Sequence, residues 1–339
     1  MSALPITDCC DRNPGAGIPP DDALVAGVLA RERRALAKAI TLIESTRPDH
    51  QERAREVLAA LLPHTGRAIR IGISGAPGAG KSTFIEAFGN YLIDSGRRLA
   101  VLAVDPSSSL SGGSILGDKT RMESLCHREE AFIRPSPSAG SLGGVAAKTR
   151  EAMLACEAAG FDVVIIETVG VGQSETTVAG MVDMFCLLQL PNAGDDLQAI
   201  KKGIVEIADV VLVNKADIDP KAAEFTRVQW KNALALLRPV HPQWKPPVLA
   251  VSSARRQGIA EFWHEIEKYR ELMEKSGEFA AKRQRQALDW MWNLIDSGLR
   301  HFFREHPAVR RDLPECTEAV GDGKMTPTAA AYRLLRDLD

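Results

Sequence analysis

The stretch Gly75-Ala76-Pro77-Gly78-Ala79-Gly80-Lys81-Ser82 matches G-x-x-x-x-G-K-[ST] at every position. An apolar, β-branched run over 69–73 leads into it, and a helical pattern follows from Ser82. That strand–loop–helix setting is what a phosphate-binding loop requires. Glycines let successive backbone N–H groups turn inward to phosphate oxygens, where a Cβ would intrude. The amides of Gly78, Ala79 and Gly80 then lie at a helix N-terminus, whose dipole adds to the attraction for an anion. Lys81 is placed to reach the β- and γ-phosphates, and the Ser82 hydroxyl to ligate Mg2+, with Thr83 next along the phosphates.

Outward from the loop, short β-branched runs at 69–74, 99–104, 163–167, 184–190, 210–213 and 248–251 alternate with helical stretches. The helical stretches fall at 82–95, 146–159, 198–207 and 220–237. Continuous apolar strands in such an alternation predict an α/β, P-loop NTPase fold: a mostly parallel central sheet with helices on both faces. Two runs end on acids, Asp105 and Glu167, and the carboxyl ends of strands in open α/β sheets face the ligand crevice. With Asp118, in the Gly-rich stretch 111–118, they are candidates for work on Mg2+ beside Ser82.

Asn214-Lys215-Ala216-Asp217 follows the buried run Val210–Val213. The Asp217 carboxylate suits guanine, because it accepts from the base N1–H and the exocyclic amine together. Adenine offers the wrong donors on that edge and would leave a charge unpaired, so discrimination is large. The Lys215 stem suits the purine face, and Asn214 a tie to the phosphate loop. Ser252-Ser253-Ala254 follows the run 248–251, with Ser253 and Ala254 placed to clamp the base oxygen through the backbone. The nucleotide read from these motifs is GTP, with GDP as its product.

The flanks are helical. Apolar residues recur at helical spacing from Asp22 to about Ser45 and again over 49–62, a helical hairpin ahead of the sheet, with Asp22 as its N-cap. After Gly258 the strands stop, and Ile259–Lys275, Glu278–Glu305 and 328–338 read as helices. Leu288, Met291, Trp292, Ile295, Leu299, Phe302 and Phe303 form an apolar stripe on the second of these. Two readings of the stripe stand: packing onto the chain's own globular part, or a dimer interface. The expected organisation is a flexible tail over 1–21, an N-terminal helical extension over 22–66, a P-loop domain over 67–257 and a C-terminal helical extension over 258–339.

The chain has 339 residues, 45% hydrophobic and 25% charged, which is ordinary globular usage and enough to bury a core. With 42 Lys and Arg against 44 Asp and Glu, the net charge of −2 leaves no footprint for bulk nucleic-acid binding. No apolar run reaches the ~18 residues of a membrane span, and the N-terminus resembles neither a secretory signal nor a transit peptide. Cys9, Cys10, Cys126, Cys156, Cys186 and Cys316 show no C-x-x-C spacing, and Cys156 and Cys186 read as buried free thiols. The expected compartment is the cytoplasm.

With these motifs in place, the chain resembles the MeaB/ArgK/MMAA family of P-loop GTPases, G-protein chaperones of adenosylcobalamin-dependent acyl-CoA mutases. The resemblance runs from about residue 22 to 339. Its most specific stretches are 72–83, V-D-P-S-S-S-L-S-G-G-S-I-L-G-D-K-T-R at 104–121, E-T-V-G-V-G-Q-S-E at 167–175 and L-P-N-A-G-D-D-L-Q-A-I-K at 190–201. It implies a homodimer held through the C-terminal helices, and Mg2+ surrounded by Asp105, Asp118 and Glu167. It also implies three segments that sense the γ-phosphate, at 106–121, 167–173 and 191–201. Asp195 and Lys201 in the last are tied to activated hydrolysis, and the partner is a mutase of the methylmalonyl-CoA type.

One departure from small GTPases bears on mechanism. Those carry D-x-x-G followed by a Gln that orients the attacking water. Here Glu167-Thr168-Val169-Gly170 is followed by Val171, and Gln173 is out of register. Slow intrinsic hydrolysis, completed by a partner, is the expectation, with Lys201 as the residue for transition-state charge. Three other readings fit the sequence less well. A GTPase for metallocentre assembly predicts His-rich tracts, and the seven His here form none. A kinase linked to amino-acid transport conflicts with the guanine motif if it uses ATP. A pure nucleotide-binding module conflicts with a complete set of candidate Mg2+ ligands.

Overall fold

The computed structural model describes residues 18–105, 122–137, 142–168, 174–191, 202–237 and 241–336. Residues up to Leu272 form one compact unit and those from Met273 onward a second.

In the first unit, β1 (Ile69–Gly75), β2 (Leu99–Asp105), β3 (Ala131–Pro137), β4 (Val163–Thr168), β5 (Met184–Gln189), β6 (Val210–Val213) and β7 (Val248–Ala250) make one sheet. Its order is β3-β2-β4-β1-β5-β6-β7, with every pairing parallel. Six of these strands lie where the apolar runs predict them. β3 does not, because Pro135 and Pro137 argue against a strand. It is tolerated at the edge of the sheet, where a missing N–H need not break a ladder on both sides.

Helices α1 (Asp21–Leu29), α2 (Arg33–Glu44) and α3 (Pro48–Leu61) precede the sheet. The first arm of the expected hairpin is thus two helices, not one. Arg31 adopts a left-handed conformation, φ 66°, and interrupts the helix without a Gly or Pro to signal it. Asp22 is accordingly inside α1, whose N-cap is Pro20. Leu24, Leu36, Ile40, Ile43 and Val57 of these helices share one core with α6 (Leu142–Ala158) and with Ala100, Leu102, Val164, Ile166, Phe185 and Leu187 of the sheet. The alternate strand residues, among them Val101, Val163, Ile165 and Cys186, are equally buried, so the sheet is covered on both faces. On that other face lies α4 (Lys81–Asp94), with Leu99 against its Gly89.

The connections α5 (Glu123–Cys126), α7 (Ser174–Ala179), α8 (Lys202–Glu206), α9 (Pro220–Ala235) and α10 (Ile259–Lys275) complete this unit, α10 running on past Leu272. Of the expected helix over 198–207, residues 198–201 lie outside the described residues.

The entry edge of the sheet follows one rule three times. Asp162 accepts the N–H of Arg98, Asp183 that of Arg70, and Asp209 that of Phe185, at 2.8–2.9 Å. Each carboxylate precedes its own strand and takes an N–H at the start of the neighbouring one, a donor the ladder leaves over. Arg70 also pairs with the buried Glu157 at 2.6 Å, and Glu157 accepts from Gly66 N–H, tying the chain ahead of β1 to α6.

The second unit holds α11 (Glu278–Glu305), α12 (Pro307–Gly321) and α13 (Pro327–Arg336). The helix α12 was not expected, since Pro314 within it reads as a breaker. Packing overrides that signal: Val309 and Cys316 are buried against Ala330 and Leu334 of α13. Phe303 packs on this small core, whereas Leu288, Met291, Trp292, Ile295, Leu299 and Phe302 are exposed along α11, Trp292 by 59%. Among the described residues no helix is long and apolar enough to cross a membrane.

Candidate nucleotide site

β1 leads through α4 to β2, two places away on one side, while β4 leads to β5 across β1 on the other. The direction of winding reverses around β1, so a crevice opens at the carboxyl ends of β4, β1 and β5. Gly75 ends β1 at this crevice, and 76–80 form the turn into α4.

That turn is built by backbone conformation. Gly78 and Gly80 have φ of 80° and 87°, which other residues adopt only at a cost. Gly80 is also hemmed in: a Cβ there would sit 2.7 Å from Asn214 Nδ2. Gly80 is the N-cap of α4, and the first helical bond runs from Phe84 N–H to Gly80 O at 2.8 Å. The amides before Phe84 have no place in the helix's own ladder, and they lie at its positive end. Lys81 Nζ donates to Gly75 O at 2.7 Å and to Ala76 O at 3.4 Å, folded along the loop. Ser82 and Thr83 follow on the first turn.

Ser82 Oγ donates to Glu167 Oε1 at 3.3 Å, bringing together two of the predicted metal residues. Glu167 is 6% exposed at the end of β4, level with Ile73 of β1. A hydroxyl and a carboxylate are hard oxygen donors of the kind Mg2+ takes. Among the described residues no three His, Cys, Asp or Glu cluster as a metal site of their own. These two donors fit part of the oxygen shell that Mg2+ takes. Asp118, Asp195 and Lys201 lie outside the described residues, as does the side chain of Asp105. Asp105 closes β2, paired with Pro137.

Behind the loop, Thr168 Oγ1 donates to Ser74 Oγ at 2.9 Å, both fully buried, and fastens the end of β4 to the end of β1. The sequence carries a signal for this pair, a hydroxyl where each of the two strands ends.

Asn214 stands at the end of β6 and is 1% exposed. Its Nδ2 donates to Ala79 O at 2.8 Å, while its Oδ1 accepts from Ser253 N at 3.2 Å and Ser253 Oγ at 2.7 Å. One amide thus joins the phosphate loop to the S-S-A loop. Lys215 is left-handed, φ 60°, with its Cε near Gly80. Asp217 Oδ1 accepts from Ser252 Oγ at 2.5 Å, and Oδ2 faces Arg255 Nε at 3.6 Å. The Ser252 hydroxyl first, then a backbone hydrogen bond and the Arg255 charge, hold the Asp217 carboxyl below its ordinary range. The sequence marks Ser252 only as the first residue of the S-S-A clamp; its hydroxyl's hold on Asp217 is visible only in the structure. Ala254 is exposed in the turn between Ser252 and Gln257, which pair across it.

The predicted residues of the phosphate loop, Glu167 and the two base loops thus converge on one end of one sheet. A family model described as methylmalonyl Co-A mutase-associated GTPase MeaB matches residues 36–308. A putative GTPase of Caulobacter vibrioides is 57% identical over 314 residues, covering 93% of this chain and 96% of that protein. GTPase ArgK of Escherichia coli is 52% identical, covering 89% and 92%. The mitochondrial methylmalonic aciduria type A homolog of Mus musculus is 47% identical, covering 93% and 79%. Among solved structures, an LAO/AO transport system kinase superposes with a TM-score of 0.76 at 38% identity, covering 94% of this chain and 97% of that one.

Proposed function

Because the chain belongs to the MeaB family of P-loop GTPases, we propose that it is a GTP-hydrolysing chaperone of an adenosylcobalamin-dependent acyl-CoA mutase of the methylmalonyl-CoA mutase type. In this role it gates loading of the cofactor and protects or reactivates the mutase. The observation that carries the nucleotide reading is the double use of Asn214, which ties the loop for phosphates to the loop for the base.

In the reaction, the amides of 78–83 bind the β- and γ-phosphates, and Lys81 swings from the loop carbonyls to the charge that develops on the leaving oxygens. Asp217 accepts from the guanine edge, aimed by Ser252. Ser82, Asp105, Asp118 and Glu167 would hold Mg2+, which would supply positive charge against the phosphates. Water attacks the γ-phosphorus in line. Val171 cannot orient that water as a Gln does, so intrinsic hydrolysis is slow and the mutase completes the arrangement, with Asp195 and Lys201 as the residues it brings in. The output is conformational: segments that sense the γ-phosphate relax on hydrolysis and change the surface offered to the mutase. The chain works as a cytoplasmic homodimer joined through the exposed stripe of α11, with no role for nucleic acid or membrane.

Steady-state GTP hydrolysis by the pure protein, with and without a stoichiometric acyl-CoA mutase from the same genome, tests this. A rise of about tenfold, equivalent to about 1.4 kcal/mol of barrier, is expected. No rise with any such mutase would overturn the chaperone reading and favour metallocentre assembly.

A further inference from the structure

Past Glu167 the neighbouring strands β1 and β4 keep different company. Their ladder runs from Ile69 beside Val163 to Ile73 beside Glu167 and stops there. Beyond that level β1 continues against β5 as far as Gly75 beside Leu188, and β4 continues against β2 as far as Thr168 beside Val104. Gly75 is drawn close to its partner on that side, since a Cβ there would come within 2.5 Å of Leu188 O. The backbone thus holds β1 and β4 to opposite flanks at the height where the phosphate loop begins.

Two oxygen donors of the crevice stand on either side of this parting. Glu167 belongs to β4, whereas Ser82 is carried by β1 through the turn 76–80 and the first turn of α4. Their own contact, 3.3 Å, is longer than an ordinary O–H···O bond and does little to hold the strands together. One shorter bond spans the parting. Thr168 Oγ1 donates to Ser74 Oγ at 2.9 Å, one residue past the last ladder pair on each strand, with both residues fully buried. Side chains alternate along a strand, so Thr168 steadies the end of β4 from the face opposite Glu167. Two apolar side chains of the same shape would fill this space at little cost in stability. What the hydroxyls add is a directed link.

We propose that Thr168 and Ser74 are a positioning pair for the cation site, their bond fixing Glu167 against Ser82. The proposal rests on the Mg2+-dependent GTPase reading above and concerns these two donors alone. Mg2+ takes oxygens at about 2.0–2.1 Å in near-ideal octahedral geometry, whereas Ca2+ accepts about 2.3–2.6 Å and a looser shell. Donors free to drift apart therefore lose Mg2+ before they lose Ca2+.

The test titrates Mg2+ and, separately, Ca2+ against retention of a fluorescent, non-hydrolysable GTP analogue. Thermal midpoints are measured alongside. The chains compared are the wild type, Thr168→Val, Thr168→Ser and the double variant Ser74→Ala with Thr168→Val. Thr168→Val keeps the shape but orphans the Ser74 hydroxyl, so its thermal midpoint should fall; the double variant leaves no orphan and should regain it. Both should raise the Mg2+ concentration for half-maximal retention about fivefold, one hydrogen bond read as affinity. The Ca2+ concentration should rise by less than about twofold. Thr168→Ser, which restores the donor, should follow the wild-type chain for both cations. A double variant with wild-type Mg2+ dependence would overturn the proposal, as would equal shifts for the two cations or a Ser variant that behaves like Val. The double variant decides even where Thr168→Val does not fold. If the wild-type chain retains the analogue without regard to either cation, it is the Mg2+ reading that fails, and the proposal falls with it.

Discussion

Asn214 Nδ2 donates to the carbonyl of Ala79 across 135 residues of chain, at 2.8 Å. The bond makes the phosphate loop and the base-reading loop one object, since the same amide accepts from Ser253. Its position is enforced from the other side by Gly80, where any Cβ would strike Asn214.

Replacing Asn214 by Ala removes three buried hydrogen bonds and leaves the Ser253 donors and the Ala79 acceptor without their partner. Each such loss costs about 1–3 kcal/mol in full but is partly offset by water. We expect GTP and GDP affinity to fall together by roughly 10- to 100-fold, measured by calorimetry, with the fold retained by circular dichroism. An unchanged affinity for GDP would show that the link does not support binding.

The Asp217 carboxyl is held ionised below its ordinary range mainly by Ser252. Guanine reading needs the charged form, so in the wild-type chain it persists above the depressed value and is lost as pH falls through it. Removing the hydroxyl in Ser252→Ala lets the carboxyl rise back toward its ordinary range. The expected outcome is an acid limb of GTP binding that begins at higher pH in the variant, with the ratio of affinities widening only as pH falls into the carboxylate range. Parallel limbs would separate Ser252 from the ionisation of Asp217.

The exposed row Trp292, Ile295, Leu299 and Phe302 on α11 predicts self-association. A charge placed within such a patch must be desolvated in the dimer, at a cost of several kcal/mol. Leu299→Glu should move the sedimentation coefficient from dimer to monomer at micromolar concentration while leaving nucleotide binding to the monomer intact. A variant that still sediments as a dimer would place the interface elsewhere.

Much of this molecule is legible because its chemistry is local in sequence. The phosphate loop, Asn214-Lys215-Ala216-Asp217 and the apolar runs each declare themselves within eight residues or fewer, and their strands converge where the fold requires. What stayed hidden depends on neighbours distant in the chain. Pro135 and Pro137 disguise a strand because nothing in the sequence says it is an edge, and Pro314 disguises a helix that Val309 and Cys316 hold by packing. The break at Arg31 has no Gly or Pro to mark it. Ser252 looks like an ordinary polar residue until Asp217 is set beside it.

The three carboxylates at the entry edge have a consequence at the far end of the sheet. Parallel strands made of uninterrupted apolar residues could slide past one another by a step and still bury oil against oil. Asp162, Asp183 and Asp209 act as pegs against that sliding, because a shift of one residue would leave each carboxylate facing the wrong atom. With β5 pinned to β1 and β6 to β5 where they begin, Gly75 and Asn214 finish at fixed heights relative to one another, and Glu167 on β4 is fixed in the same way against β2. The alignment of the crevice is thus set about a strand's length away from it, by residues that never approach a ligand.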